Sequence, residues 1–214
     1  MKLRADYDKT ELVHFAHTTW APSPEPAVMR KLLEREGGEV ARATSIVRYG
    51  PKSAFPAHVH DEGEEFLVLD GIFSDEHASY PAGTYVRNPP GSRHRPFSRE
   101  GCTIFVKLRQ FARGDGARVV VAPDDGWSVD ANVATQELHR FGEEHVILLR
   151  IAAGGRVVLP KDGRGAELLV VSGSIELESA TCPRWTWRRT AASSIEVSSS
   201  SGAVVWLKRG HLSS

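Results

Sequence analysis

The sequence predicts an all-β chain built from two similar barrels, and two observations carry that prediction. From Val40 onward, short runs rich in β-branched and apolar residues recur every eight to twelve residues, separated by glycine, proline, asparagine or aspartate. This spacing is typical of a sandwich or barrel and not of alternating helices and strands. The second observation is an internal repeat, in which the second half of the chain resembles the first half.

The repeat has an offset of 102 positions. The segment TSIVRYGPKSAFPAHVHDEGEEFLVLDG (44–71) aligns with VILLRIAAGGRVVLPKDGRGAELLVVSG (146–173). The alignment places identical residues at several equivalent positions, among them Arg48 and Arg150, Glu65 and Glu167, and Gly71 and Gly173. A repeat of this length indicates a duplicated structural unit.

The repeat and the breaker residues predict four segments. Residues 1–40 form an N-terminal arm, 41–114 a first barrel, 115–132 a linker in which Gly, Asp and Pro gather, and 133–214 a second barrel. Three prolines in the arm exclude a regular helix interior or a central strand there, and Trp20 is expected to pack the arm onto the barrel. Residues 29–36 have a composition that favours a short helix, ended by Gly37 and Gly38.

Four side chains in the first half have the spacing of a metal site: His58, His60, Glu64 and His94. Side chains alternate faces along a strand, so the two histidines of an H-x-H pair point the same way. A tight turn at 61–63 can return Glu64 beside them, and a Pro-Pro-Gly turn precedes His94 on another strand. We therefore predict that these four side chains meet at one ion.

Three imidazoles and one carboxylate suit a divalent transition metal. We expect zinc or iron, with manganese and nickel as alternatives. The competing interpretation is that these are ordinary solvated polar side chains, which requires the whole pattern to be coincidental. Glu65 competes with Glu64 as the ligand, because adjacent residues of a strand face opposite ways and only the register distinguishes them.

These residues resemble the cupin family, in particular the ChrR-type cupins. The first cupin motif is a glycine, H-x-H, three or four residues, a glutamate, six residues and a glycine; counting back from Gly71 makes Glu64 the ligand. The second motif is matched by Gly83, Pro89 and His94. The resemblance implies a tandem bicupin of double-stranded β-helix (jelly-roll) barrels with the metal in a barrel mouth. The asparagine that usually follows the last histidine is absent, and Phe97 and Ser98 occupy that neighbourhood.

The second barrel is predicted to lack the metal. Its positions equivalent to His58, His60 and Glu64 are occupied by Pro160, Asp162 and Ala166, and no histidine equivalent to His94 occurs around Ser193–Ser200.

Charge and composition exclude several classes of partner. Lysine plus arginine equal aspartate plus glutamate at 27 each, so no net positive field attracts nucleic acid. Trp185 and Trp187 alternate with basic residues, which suits either a nucleic-acid surface or, as we favour, a half-buried strand with tryptophans inward and arginines outward. Two cysteines, no signal-peptide pattern and no apolar run of membrane-spanning length predict a cytoplasmic protein with no membrane partner.

Five polar side chains near the predicted ligands have two interpretations. They can orient the metal ligands or meet a small anion, or they can pair across the barrel exterior: Glu65, Tyr85, Arg87, Asn88 and Arg93.

For function, the resemblance implies a metal-dependent small-molecule enzyme of dioxygenase type acting on an enolate- or catechol-like substrate. The alternative is a non-catalytic, zinc-binding sensor like ChrR. Regulators of that family carry an N-terminal anti-sigma domain with its own zinc ligands, whereas residues 1–40 contain no cysteine and no long helical pattern. Sigma-factor binding is therefore not expected. We expect a small-molecule ligand and, by analogy with cupin barrels that pair edge strands, a homodimer.

Overall fold

The computed structural model describes residues 1–38, 40–160, 164–178, 180–191 and 194–212, and the regular elements in them are strands apart from one short 3-10 helix. The first half contains a short 3-10 helix (Phe15–His17) and these strands: β1 (Lys2–Leu3), β2 (Glu11–Val13), β3 (Ala21–Pro22), β4 (Val28–Gly37), β5 (Ala41–Tyr49), β6 (Ser53–Ala54), β7 (His58–His60), β8 (Glu64–Ser74), β9 (Ser79–Pro81), β10 (Tyr85–Asn88), β11 (Ser92–His94), β12 (Phe97–Ser98), β13 (Cys102–Leu108) and β14 (Val119–Val121).

The second half continues with these strands: β15 (Trp127–Asp130), β16 (Val133–Phe141), β17 (Glu144–Ile151), β18 (Gly155–Leu159), β19 (Ala166–Leu177), β20 (Ala180–Pro183), β21 (Trp187–Thr190), β22 (Ile195–Ser199) and β23 (Ala203–Arg209). No helix in the described part of the chain is long and apolar enough to cross a bilayer.

The first compact unit comprises Met1–Ala5 and Thr19–Pro123. Its main sheet has the order β1-β4-β5-β13-β8-β10-β14, and β8 also pairs with β9 and β12, so the long strand β8 joins two layers. Strands β7 and β11 form a separate two-stranded ladder. Between the layers lies a core of aromatic and branched side chains that includes Phe66, Val68, Phe73 and Ile104.

The second unit comprises Asp6–Thr18 and Asp124–Ser214. Its main sheet has the order β15-β16-β17-β23-β19-β21-β2, and β19 also pairs with β20 and β22. Its core is more aliphatic, with Leu149, Leu168, Val170 and Val205 among the buried residues. Each unit is thus an antiparallel barrel in which one long strand belongs to both layers.

Equivalent irregularities in the two units confirm the tandem arrangement. Gly71 and Gly173 have the same positive φ of 72°, and a Cβ at either would collide with a carbonyl oxygen, that of Gly101 or Gly202 respectively. Register shifts fall between Thr103 and Ile104 in the β8–β13 pairing and at the equivalent place, between Val170 and Ser172, in the β19–β23 pairing. The predicted all-β fold of two jelly-roll barrels is therefore confirmed.

Residues 29–36 differ from the helix that their composition favours. They lie in β4, which pairs along its length with β5 and buries Leu33 completely. Long-range pairing outweighs the weak helix propensity of this segment. The same strand brings part of the predicted arm into the first barrel, whereas residues 11–13 pair with β21 of the second unit. The predicted linker at 115–132 contains β14 and β15.

The predicted outward position of the arginines beside Trp187 is wrong. Arg188 and Arg189 are both buried, at 5% and 0% exposure. Arg188 donates to Glu178 Oε1 at 2.5 Å, and Arg189 donates to the carbonyl oxygen of Asp6 at 2.7 Å and lies over the ring of Tyr7. Local partners allow a strand to bury guanidinium groups that alternation alone would place in solvent.

Candidate metal centre

The ladder between β7 and β11 positions the three predicted histidines. His58 and His60 lie on the same face of β7, and the antiparallel register places His94 directly opposite His58. The backbone N–H groups of Gly63 and Gly91 both donate to the carbonyl oxygen of His60, which fixes the turns on either side of the ladder. Gly63 has φ +82°, and a Cβ there would lie 2.5 Å from the ring of Phe111. Gly63 is therefore required at this turn for two reasons: the positive φ is unfavourable for other residues, and the Phe111 ring leaves no room for a side chain.

The three imidazole rings converge. Their centroids are 4.7 Å apart for His58 and His60, 5.1 Å for His58 and His94, and 4.9 Å for His60 and His94. One nitrogen of each ring lies within 4.8 Å of the others, and the Nε2 atoms of His60 and His94 are 2.9 Å apart. That separation lets both nitrogens reach one ion at the metal–nitrogen distance of about 2.0–2.1 Å that is usual for zinc.

Glu64 completes the cluster. Its Oε2 atom lies 3.3 Å from His60 Nε2 and 3.4 Å from His94 Nε2, although Glu64 begins a different strand, β8. The structure thus brings together all four side chains that the sequence nominates.

Glu65 faces away from this cluster. Its Oε2 atom accepts hydrogen bonds from the Tyr85 hydroxyl and from Arg87 Nη1, each at 2.6 Å, and Arg87 Nη2 reaches Asp115 Oδ2 at 2.5 Å. Phe111 stacks on the Arg87 guanidinium. Glu65, Tyr85 and Arg87 therefore belong to a buried ionic network and do not orient the histidines.

In His58 and His94, the Nδ1 atom points away from the cluster and lies near an oxygen atom. His58 Nδ1 lies 2.9 Å from the carbonyl oxygen of Pro56, and His94 Nδ1 lies 3.5 Å from Asp75 Oδ2. An N–H at Nδ1 leaves Nε2 with its lone pair directed at the centre, which is the usual arrangement of metal-binding histidines.

Asn88 and Asp75 hold the ligands in place. Asn88 Nδ2 donates to Glu64 Oε2 at 3.1 Å. Of the two roles considered for Asn88, orienting a predicted metal ligand is therefore the one that fits. Asp75 is fixed by the backbone N–H groups of His77 and Ala78 and by the Tyr80 hydroxyl. Sequence reasoning missed Asp75. The available signal was an aspartate in the turn between two strands, but its approach to His94 depends on tertiary structure.

Burial and charge act differently on two of the histidines. Burial lowers the pKa of His60, and the nearby Glu64 carboxylate only partly offsets this. Burial also acts to lower the pKa of His94, but the nearby carboxylates of Asp75 and Glu64 outweigh it and raise that pKa above its usual value. His60 therefore favours the neutral, ligating form, whereas His94 holds a proton more strongly until a cation replaces it.

This donor set fits a divalent transition metal. The three imidazoles have one nitrogen each within 4.8 Å of the others, the Glu64 carboxylate lies beside two of them, and these are donor types that such ions prefer. Glu64 and His94 are buried, whereas His58 and His60 are partly exposed at the mouth of the barrel.

A cavity of about 240 Å³ adjoins the cluster. His58, His60 and Glu64 form part of its wall, and Tyr49 and Arg30 form another part. Burial raises the pKa of Tyr49 well above its usual value, so the phenol stays protonated at neutral pH. In the described part of the chain no residue hydrogen-bonds to the Tyr49 hydroxyl.

The remaining candidate residues lie elsewhere. Arg93 is exposed on β11. Cys102 is buried in the first core, and burial raises the pKa of its thiol to about 11, which favours a packing role over ligation.

The second barrel offers different side chains at the equivalent positions. Ala166 packs in the aliphatic core, and Pro160 follows β18. Asp162 and Ser193 lie outside the described residues, and Ser194–Ser200 contributes strand β22 and serine side chains.

Comparisons with known proteins agree with this geometry. Residues 8–112 match the profile of the ChrR Cupin-like domain. Comparison with curated protein sequences gives no significant match.

Solved structures with the same fold cover both barrels. A proposed dioxygenase from Nostoc punctiforme superposes with a TM-score of 0.78 at 14% identity, covering 97% of this chain and 85% of that one. A pirin from Escherichia coli in complex with nickel(II) has a TM-score of 0.73 at 13% identity, covering 94% and 98%. A cupin 2 conserved barrel protein from Leptotrichia buccalis has a TM-score of 0.62 at 8% identity, covering 92% and 95%. At these identities the likeness establishes the fold alone.

Proposed function

Because residues 8–112 belong to the ChrR cupin-like domain family, we propose that the first barrel binds one divalent transition metal through His58, His60, Glu64 and His94. We further propose that the protein is a metal-dependent small-molecule enzyme of dioxygenase type, acting on an enolate- or catechol-like substrate. Zinc or iron is the proposed metal, with manganese and nickel as alternatives.

One observation carries the enzymatic proposal: the ligand cluster borders a cavity. His58, His60 and Glu64 line a space of about 240 Å³, so a small molecule there would lie against the metal ligands. A purely structural metal site would be closed by four protein ligands and packed side chains. The fold neighbour described as a proposed dioxygenase is compatible with this chemistry but carries no independent weight at 14% identity.

The residues around the cavity have distinct tasks. A bound metal would supply Lewis acidity and a place for oxygen-donor ligands. The outer partners, Asp75 and Asn88, keep His94 and Glu64 in one orientation. Tyr49 belongs to the cavity wall, and its protonated hydroxyl can donate a hydrogen bond to a substrate oxygen.

The second candidate function is a non-catalytic, zinc-binding sensor, and the family match favours it. In that case the four ligands would close the coordination shell and the cavity would hold only solvent. We do not propose sigma-factor or nucleic-acid binding. A cytoplasmic location and a homodimer remain expectations.

Oxygen consumption by the iron-loaded protein separates the two candidates. The substrates are pentane-2,4-dione, catechol and related small enolisable or diphenolic compounds, and metal content is measured by elemental analysis in every sample. We expect oxygen uptake with at least one of them, abolished in His94→Ala and retained in His77→Ala, whose side chain is exposed. A protein that retains one equivalent of metal, yet consumes no oxygen when loaded with iron or manganese, contradicts the dioxygenase proposal and favours the sensor.

A further inference from the structure

We propose that the cavity selects a small organic anion, specifically a short-chain oxo acid, whose carboxylate is held by Arg30 while its carbonyl end faces the histidine cluster. This inference rests on the proposed function and specifies its substrate class. It is carried by the position of Arg30, the size and walls of the cavity, and the charge of the adjoining groove.

Arg30 projects into the barrel from β4. Val28, two residues earlier on the same strand, packs in the core, so the alternation of the strand places Arg30 on the inner face as well. Arg30 pairs in register with Val47, which also lines the cavity. Its Nη2 atom donates to the carbonyl oxygen of Pro22 at 3.2 Å, which anchors the guanidinium at the cavity wall.

The size of the cavity restricts the ligand. Its volume of about 240 Å³ is below the range of about 300–1,000 Å³ that is usual for drug-sized ligands. It is about eight times the roughly 30 Å³ that a water molecule occupies in the liquid. Arg30 and two of the histidines line this one space, so the volume suits a single small molecule that lies between them.

Arg30 faces the histidines and the Glu64 carboxylate across a wall that is otherwise apolar apart from the Tyr49 hydroxyl and Ser23. Its apolar part consists of Val47, Phe55, Pro96, Ile104, Val106 and Leu108. Beside such a wall a cation is a strong determinant, because a guanidinium paired with a carboxylate forms charge-assisted hydrogen bonds. A ligand with one anionic end and a short apolar body suits this combination.

A groove beside the cavity is also cationic. It shares Phe55 with the cavity and is lined by Lys52, Arg95 and Arg99 and by a single carboxylate, Glu25. No salt bridge to these three cations occurs among the described residues. The chain as a whole has no net charge, so this local excess is a property of the groove and would raise the encounter rate with anions.

The test compares two nearly isosteric ligands, 3-oxobutanoate and pentane-2,4-dione, which differ in a carboxylate oxygen in place of a methyl group. Their binding to the zinc-loaded protein, which cannot turn them over by redox chemistry, is measured by calorimetry. We expect the anion to bind more tightly, and Arg30→Gln to weaken anion binding by roughly tenfold to a hundredfold with unchanged metal content. The dione should bind the variant as it binds the wild type.

Arg48→Gln is the matched control. Arg48 lies on the neighbouring strand, is exposed, and stacks on Trp20 outside the cavity. Ionic strength gives an independent measurement that needs no variant: added salt should weaken binding of 3-oxobutanoate and leave that of the dione unchanged. Equal affinity for the two ligands, equal salt dependence, or a folded Arg30→Gln protein that keeps the anion preference would each overturn the inference.

The two proposals fail in distinguishable ways. If the protein holds metal but shows no preference for the anion, the substrate class is wrong and the metal centre stands. If elemental analysis finds no metal, the proposed function fails, and the effect of Arg30→Gln on binding of 3-oxobutanoate to the metal-free protein still tests whether Arg30 recognises the anion.

Discussion

At the scale of single residues, the sequence predicts the cluster from the spacing of the H-x-H pair, the glutamate and the histidine that follows the Pro-Pro-Gly turn. Each interval corresponds to a defined position along a strand or across a turn. His58 and His60 share a face, and the motif spacing selects Glu64 over Glu65. Asp75 and Arg30 could not be predicted in this way. Asp75 reaches His94 from another turn, and Arg30 lies in a segment whose strand character depends on pairing with β5.

The two adjacent glutamates give a sharp comparison. Glu64→Gln should lower metal affinity by more than the roughly 10- to 100-fold that is typical of changes to outer partners, because it removes a charged ligand. Glu65→Gln should keep metal but destabilise the fold by on the order of 3 kcal/mol, since it removes the carboxylate that pairs with buried Arg87. Metal titration and urea unfolding measure the two effects. Loss of metal in Glu65→Gln with retention in Glu64→Gln would reverse the assignment.

The opposite pKa shifts of His60 and His94 predict a pH dependence. As the pH falls, the metal-free protein should protonate His94 first, because its pKa is raised, and His60 later, because its pKa is lowered. A proton on either ring competes with the metal, so zinc affinity should fall from the pKa of His94 downward and more steeply once His60 also titrates. NMR titration of the ring protons and calorimetry at several pH values check this. Protonation of His60 before His94 would contradict it.

At the scale of elements, the two halves of the repeat share irregular features of the backbone as well as the order of their strands. Equivalent strands have equivalent bulges and equivalent positive-φ glycines, because the sharp bend of the long shared strand brings its backbone against the next turn. The orientation of Arg188 and Arg189 was not predictable, because alternation assigns faces but cannot show which charged side chains find buried partners. Strand β4 shows the same limit for helix propensity.

Two glycines in the second barrel distinguish the two ways in which a change to alanine can destabilise the fold: a steric clash and an unfavourable backbone conformation. Gly154 and Gly173 both have positive φ, but a Cβ at Gly154 meets nothing within 4 Å, whereas at Gly173 it collides with a backbone oxygen. Gly154→Ala should cost about 1–2 kcal/mol from the left-handed conformation alone. Gly173→Ala should cost clearly more, as measured by urea unfolding. Equal losses would show that the bend relaxes to accommodate a methyl group.

At the scale of the whole molecule, two barrels with one architecture differ in chemistry. The first has the converging histidines, and the second has an aliphatic core at the equivalent position. The duplication was readable from sequence because turn glycines and buried positions recur at one interval. The assignment of residues 6–18 to the second unit was not, because a three-residue strand has too little pattern to show its partner.

Metal removal should therefore affect one unit selectively. Ligand binding stabilises the native state by about 4 kcal/mol when the free metal is a thousand times the Kd, so a chelator should lower the Tm. Hydrogen exchange should locate the loss of protection in β7 and β11, with the strands of the second unit unchanged. Loss of protection confined to the second unit would contradict the placement of the metal.

The most direct test is anomalous diffraction from crystals of the metal-loaded protein, recorded at the absorption edge of the metal that was added. The account predicts one strong peak in the first barrel, within coordination distance of His58, His60, Glu64 and His94, and no peak in the core of the second barrel. A peak away from these side chains, or none in a protein that carries a full equivalent of metal, would contradict it.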